Sequence, residues 1–209
     1  MALHHATDDE AEAAATPIDW RRRLPLLTDD AVTLRALRQS DAPSLLRHVS
    51  DARVLQYITA SPATVDGFRR YVRWTHGQRR RGGLVCFGIV PAGAANAVGV
   101  MQVWPIEPDF STAEWGFALG AAFWGRGLFT RAARMFVDAV FSQLQVYRLE
   151  ARSVDVNLRG NRAFERLGAR RDGMLRGAFH DGDVVRDHVM WSILAPEWRA
   201  MREREHRAH

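Results

Sequence analysis

The chain of 209 residues contains no lysine and a single cysteine, Cys86. One cysteine excludes a disulfide framework and any cysteine-based zinc cluster, and it points to a reducing compartment, so a cytoplasmic location is expected. No apolar run approaches the roughly 20 residues that a membrane span needs. The opening MALHHATDDE lacks the basic region and apolar stretch of a signal peptide. His4, His5, His48, His76, His180, His206 and His209 show no metal-ligand spacing with carboxylates, so no metal is expected. The missing lysine also changes the reading of the charge. All 29 basic residues are arginine and the net charge is +5, a bias that suits GC-rich codon usage better than a phosphate-binding face. Five acids (Asp8, Asp9, Glu10, Glu12 and Asp19) and no base precede Trp20, which leaves +10 on the rest of the chain. No nucleic-acid module accompanies that charge, so direct nucleic-acid binding is not expected, whereas an acidic partner or cofactor fits it.

What is present is an ordinary globular composition, 47% hydrophobic and 25% charged, on a chain long enough to remove roughly 70% of its surface from water. Residues 1–19 read as a mobile acidic arm, 20–195 as one domain, and 196–209 as a polar C-terminal helix or tail. Ala31–Leu37 alternates like a strand, and Ser40 and Asp41 offer capping oxygens before a helix through Leu45, Leu46 and Val49. A second helix runs from about Thr64 to the stop at Gly82-Gly83, ending in Arg79-Arg80-Arg81, which reads as a solvated helix end. Leu84–Val90, Ala97–Trp104 and Thr112–Leu119 form a β meander. Thr130–Leu144 holds a 3, 4 apolar rhythm through Ala133, Phe136, Val137, Val140 and Phe141. A strand at Tyr147–Val156, a short helix at Gly160–Leu167 and a hairpin turning at Asp181-Gly182 close the domain. The expected class is α+β, with a mixed sheet.

The informative stretch is Thr112–Arg134, where a strand passes through Trp124-Gly125-Arg126-Gly127-Leu128-Phe129-Thr130 into the long helix. Glycines at 125 and 127 let backbone N–H groups converge, and with Thr130 and the helix N-terminus they suit a phosphate or pyrophosphate. A tight strand-to-helix turn is the alternative reading. The absence of lysine excludes a Walker loop, and a Rossmann site wants its glycines after the first strand of a parallel repeat. Asp187 and His188 are neighbours on the last strand, where alternation sends their side chains to opposite faces and argues against a dyad. Cys86 reads as a small core residue. Most of the tryptophans read as core, with Trp104 and Trp124 candidates for the wall of a cleft.

Phe123–Ala132 resembles the acetyl-CoA pyrophosphate loop of the GNAT acetyltransferases, written Gln/Arg-x-x-Gly-x-Gly/Ala. It is most like the branch of ribosomal-protein N-terminal acetyltransferases, whose loop often reads Trp-Gly-x-Gly-x-x-Thr. The resemblance runs from Ala31 to Leu194 and includes the opening strand with Asp41, the strand with Glu114, Asn157–Gly168 and the closing Arg186-Asp187-His188 strand. Trp124 stands where Gln or Arg is common, and Phe129 where a small residue is common. The resemblance implies a mostly antiparallel central sheet, split by a cofactor cleft and flanked by helices. It implies acetyl-CoA as donor, with backbone groups near Phe117, Ala118 and Leu119 on the pantetheine arm. The pyrophosphate falls to Trp124, Gly125, Arg126, Gly127, Leu128, Phe129 and Thr130. Asn157 and Asn161 reach in from the other half of the cleft, a helix N-cap being the alternative for Asn161.

In this family an amine attacks the thioester directly, so no covalent nucleophile is needed. Glu114, beside Trp115 and Phe117, is the candidate general base, acting through water with a carboxyl pKa raised by partial burial. The competing reading pairs it with an arginine. Relatives often carry Tyr at the position of Phe164 or Ser at that of Gly160, so no general acid is evident here. The acceptor is a primary amine, either a protein N-terminus or a small drug-like or metabolic amine. A non-catalytic acyl-CoA-binding sensor is the alternative of a different class. A homodimer is compatible with all of these.

Overall fold

The computed structural model describes residues 19–58 and 61–207, so the expected N-terminal arm lies, apart from Asp19, outside the described residues. β1 (Leu27–Thr28) and β2 (Val32–Ala36) lead through a 3-10 turn to α1 (Ala42–Val49), α2 (Ala52–Leu55) and α3 (Val65–Arg81). The meander of β3 (Val85–Pro91), β4 (Gly99–Pro105) and β5 (Thr112–Leu119) follows, and then α4 (Leu128–Gln143). β6 (Arg148–Val154), α5 (Leu158–Leu167), β7 (Arg170–Asp181), β8 (Val184–Leu194) and α6 (Ala195–Arg207) complete the chain. The strands form one sheet in the order β1-β2-β3-β4-β5-β6-β8-β7. Every pairing is antiparallel except β5 with β6.

Strand alternation sorts the core into two layers. Ala113, Trp115 and Leu119 of β5 face α4, whose Phe136, Val137 and Val140 are fully buried at helical spacing. Trp115 stacks on Phe136 at 5.6 Å and meets Phe164 of α5 edge-on at 5.4 Å. Ala118 turns to the other face, where α1 and α3 close the second layer with Leu45, Phe68 and Val72. Burying side chains of this size contributes roughly 1.5–3 kcal/mol each, which is why the amphipathic helices stay on the sheet.

Several boundaries differ from the sequence expectation, each for a local reason. β1 and α2 are too short to leave a periodic signal. β7, the first strand of the hairpin expected around Asp181-Gly182, begins as early as Arg170; its mostly exposed side chains do not alternate cleanly, and two bulges interrupt its register with β8. The C-terminal segment, expected as a polar helix or tail, is α6 and is fastened to the domain. Trp198 is buried, and its Nε1 donates to Asp138 on α4 at 2.6 Å. Arg79 is not simply solvated at its helix end: its Nη1 donates to the carbonyls of Trp20 and Arg21 at 2.9 and 3.1 Å, tying the first described turn to α3. Among the described residues no helix is long and apolar enough to cross a membrane.

Asp41 does more than the expected cap. Its side chain makes no capping bond to α1 and is fully buried. One oxygen accepts from Arg35 Nη1 at 2.8 Å and from the Arg38 N–H at 2.7 Å. The other accepts from Arg35 Nη2 at 2.8 Å and the Ala97 N–H at 2.9 Å. Burial alone would push the Asp41 carboxyl up, but these Arg35 and backbone hydrogen bonds outweigh it and hold it below the usual carboxylate value. The stabilisation is therefore present above the unfolded value, about 3.9, and is lost as pH falls through the lower folded one. Asp41→Ala leaves Arg35 buried without its partner, so we expect about 3–5 kcal/mol of destabilisation in urea unfolding.

Candidate active site

β5 and β6 pair for three residues, Thr112, Ala113 and Glu114 with Arg148, Leu149 and Glu150, and then part. β4 continues to bond β5 as far as Leu119, and β8 continues to bond β6 as far as Val154. Each strand is thus held on its outer side and open on its inner side. The Gly120 N–H donates to the Val98 carbonyl at 3.0 Å, which makes Gly99 and Leu119 a non-hydrogen-bonded pair in the ladder. Alternation then aims the N–H and C=O of Phe117 and Leu119 into the gap and those of Ala118 at β4. Of the three backbone positions expected there, Ala118 offers only its side chain. The Leu119 carbonyl accepts from Trp124 Nε1 at 2.8 Å.

The loop beyond β5 turns through Gly125 (φ 73°) and Gly127 (φ 74°), a left-handed geometry that side chains disfavour. Gly127 is the N-cap of α4, no side chain caps it, and no acid lies in the first turn. The amides of Leu128, Phe129 and Thr130 at this positive helix end therefore lack intrahelical partners. The side chains divide. Leu128 is buried in the core and Arg126 is exposed, whereas Thr130 and Phe129 line the cleft. The Phe129 ring packs on Phe117 with centroids 4.2 Å apart, filling space that a smaller residue would leave open. Trp124 carries the Arg159 guanidinium 5.0 Å over its ring.

On the opposite side, Asn157 Oδ1 accepts from the Gly160 N–H at 2.9 Å, so Asn157 is the cap of α5 and starts it two residues ahead of the expected Gly160. A Cβ at Gly160 would come within 2.5 Å of Asn157 Nδ2, so a glycine here lets that amide lie over the helix start. Asn161 is neither the cap nor part of the cleft wall. Its Nδ2 donates to the carbonyls of Val154 and Asp155 at 3.0 and 3.3 Å, and its Oδ1 accepts from Trp191 Nε1 at 2.9 Å. Its amide is committed to holding α5 against β6 and β8.

The gap opens into a cavity of about 890 Å³ that runs from the α4 loop, past Glu114, to a chamber under α3. Glu114 lies on the face opposite Trp115 and Phe117, so its surroundings are not the cluster expected from the sequence but Trp104, its partner across β4, and Glu150 across β6. Burial pushes the Glu114 carboxyl up; nearby Glu150 adds to this, while Arg152 and the Trp104 indole oppose it. Arg152 Nε stands 3.3 Å from Glu114 Oε1, so the arginine-paired reading and the raised carboxyl coexist. His188 and Ser153 also line the cavity, and His188 Nδ1 and Ser153 Oγ are buried without hydrogen-bond partners. Burial and Arg152 push the His188 ring down, against Asp155, which favours its neutral form. Asp187 points away and accepts from the Gly177 N–H at 2.8 Å, so the two residues form no dyad. Arg152 was not singled out in the sequence, and His188 was weighed only as a partner for Asp187; both fall on the Glu114 face once the β5–β6–β8 register is known. Among the described residues no cluster of three His, Cys, Asp or Glu gathers that could hold a metal.

A family model described as an acetyltransferase (GNAT) domain matches residues 31–170. The uncharacterized N-acetyltransferase p20 of Bacillus licheniformis is 26% identical over 173 residues, covering 82% of this chain and 97% of that one. A solved structure from T. thermophilus, assigned as an acetyltransferase, is 28% identical with a TM-score of 0.73, covering 89% and 98% of the two chains. The ribosomal-protein-S5-alanine acetyltransferase of Vibrio fischeri shares the fold at a TM-score of 0.75 and 15% identity, covering 84% and 99%. The split sheet, the glycine loop capping α4 and this family match over most of the domain place the chain in the GNAT family, as an N-acetyltransferase.

Proposed function

We propose that the protein transfers the acetyl group of acetyl-CoA to a primary amine, within a complex of all three. The observation that carries this reading is the coincidence of two unfilled backbone sites on one cavity: the open inner edge of β5 and the uncapped N-terminus of α4. An extended amide-bearing arm matches the first, through the Phe117 N–H and C=O and the Leu119 N–H. A pyrophosphate matches the second, through the amides of Leu128, Phe129 and Thr130, with Gly125 and Gly127 allowing close approach. Trp124 and Arg126 belong to the same loop, and Asn157 Nδ2 faces the arm from α5. When bound, acetyl-CoA supplies an activated acyl group on a thiol leaving group.

The protein's own residues supply orientation and a base. The ammonium loses a proton to Glu114, directly or through water; the freed pair forms the C–N bond as the C–S bond breaks, and the nitrogen gives up its second proton to solvent as the amide forms. Phe164 and Gly160 donate nothing to the leaving sulfur. A thiol with a pKa of about 8.5 leaves as the anion and takes its proton from solvent. The acceptor reading includes a protein N-terminal α-amine, as the name of the Vibrio fischeri neighbour suggests for that protein. A small amine fits the same chemistry.

Two measurements test this. Calorimetric titration is expected to give micromolar binding of both acetyl-CoA and CoA and none of ATP; no binding at millimolar acetyl-CoA would overturn the reading. In the second, Glu114→Gln is expected to lower kcat by about 10² or more while cofactor binding persists. The base works as the carboxylate, so kcat rises with pH through the raised Glu114 value, with its inflection above that of an ordinary glutamate. Arg152→Gln removes the cation that opposes the shift and moves the inflection further up; an unmoved inflection would remove Glu114 from the role.

A further inference from the structure

The identity of the acceptor rests on the acetyl-transfer reading, and the half of the cavity remote from the α4 loop carries information about it. The walls of this chamber come from α3, β4 and β5, with Val49 of α1, Val54 of α2 and residues between α2 and α3 closing the remaining side. Phe68 meets Tyr71 edge-on at 6.2 Å, and Tyr71 stacks on Trp74 at 6.0 Å with the rings 26° apart. Trp74 is 50% exposed, which leaves an open indole face at the rim. Across the chamber the Trp104 indole covers Gly116, at 3.5 Å from where a Cβ would stand. Trp104 is therefore beside both Glu114 and the point where β5 leaves β6.

Among the described residues, Gln102, Tyr71 and Ser61 of this chamber are engaged within the protein, while Tyr57 lines it without a side-chain hydrogen bond. Gln102 Nε2 donates to the Tyr71 hydroxyl, which lies 3.6 Å from Cys86 Sγ. Ser61 Oγ lies 3.3 Å from Ser50 Oγ. Burial pushes the Tyr71 hydroxyl well up, so it stays a neutral phenol. The charged groups at the chamber floor are Glu114 and its partner Arg152. A peptide acceptor would have to bury successive amides against these largely aromatic faces, away from the unpartnered Ser153 and His188 on the β6 and β8 side, and a polyamine would bury a second ammonium. A flat apolar body with a single ammonium makes neither demand, and aromatic faces attract both the ring and the cation.

The geometry points to an arylalkylamine as the acceptor class: a primary amine on a short chain from an aromatic ring. The ring lies among Tyr71, Trp74 and Trp104, and the ammonium reaches Glu114. The products are the N-acetyl arylalkylamine and CoA, with one proton released from the ammonium.

The test compares 2-phenylethylamine and tryptamine with spermidine and with tetrapeptides beginning in Ala or Ser, by thiol release at saturating acetyl-CoA. The aryl amines are expected to exceed the others in kcat/KM by about tenfold or more. Trp74→Ala, at a half-exposed position, is expected to raise their KM about fivefold, with kcat and acetyl-CoA affinity unchanged. Calorimetry should show the same weakening of 2-phenylethylamine binding. Preference for a peptide or spermidine, or a Trp74→Ala variant with unchanged KM, overturns the acceptor class and leaves acetyl transfer standing. No turnover of any amine by protein that binds acetyl-CoA overturns both and favours the sensor reading.

Discussion

Parallel pairing between β5 and β6 ends after Glu114 and Glu150, while each strand keeps its antiparallel neighbour on the outside. Two half-sheets thus meet over three residue pairs and diverge as a wedge. Divergence leaves inner backbone groups without sheet partners, and a buried N–H or C=O without a partner costs about 1–3 kcal/mol. The fold offsets part of that through Trp124, whose indole takes the Leu119 carbonyl. Behind the wedge, Trp115, Phe136, Phe164 and Trp191 pack ring against ring across β5, α4, α5 and β8. This aromatic layer packs both half-sheets against α4 and α5, and the unfilled groups at Phe117 and Leu119 are aimed at one channel.

The chemistry follows from where that wedge lies. Its apex carries Glu114, buried enough to favour the neutral acid yet 3.3 Å from Arg152, which favours the carboxylate. The balance leaves the carboxyl above the value of an ordinary glutamate, which makes it a stronger base than a solvated glutamate or a fully compensated ion pair would be. The wide end meets the N-terminus of α4, where the helix dipole and three free amides suit an anion. In the proposed reaction donor and acceptor approach the apex from opposite sides of the sheet opening, and positioning would supply much of the catalysis.

The sequence made the elements legible wherever periodicity is strong. Thr112–Leu119 matches β5 at both ends, and the 3, 4 rhythm found α4 to within two residues. Glycines 125 and 127 were readable as a loop between strand and helix because they free the backbone from side chains, and the structure adds that both are left-handed. Side-chain roles were harder. Asn161 and Asn157 are four residues apart, and only the observed start of α5 shows that Asn157 caps it while Asn161 braces Trp191. Trp115 and Phe117 closely follow Glu114 in sequence yet lie on the other face, which alternation alone could have shown. Arg152 and His188 depend on the register of three strands from distant parts of the chain, and no local pattern carries that information. Trp198 reads as part of a polar tail because its neighbours are charged, and its burial arises only where α6 meets Asp138 and Phe141.

Residue-resolved amide hydrogen exchange, with and without saturating CoA, tests most directly that the open strand edge and the uncapped helix end form one ligand site. Strong added protection is expected at the N–H groups of Phe117, Leu119, Leu128, Phe129 and Thr130, with little change at Ala118, whose amide already bonds to β4. Protection of Ala118 alone, or CoA binding that leaves Phe117 and Leu119 exchanging at their free rate, would contradict a single site.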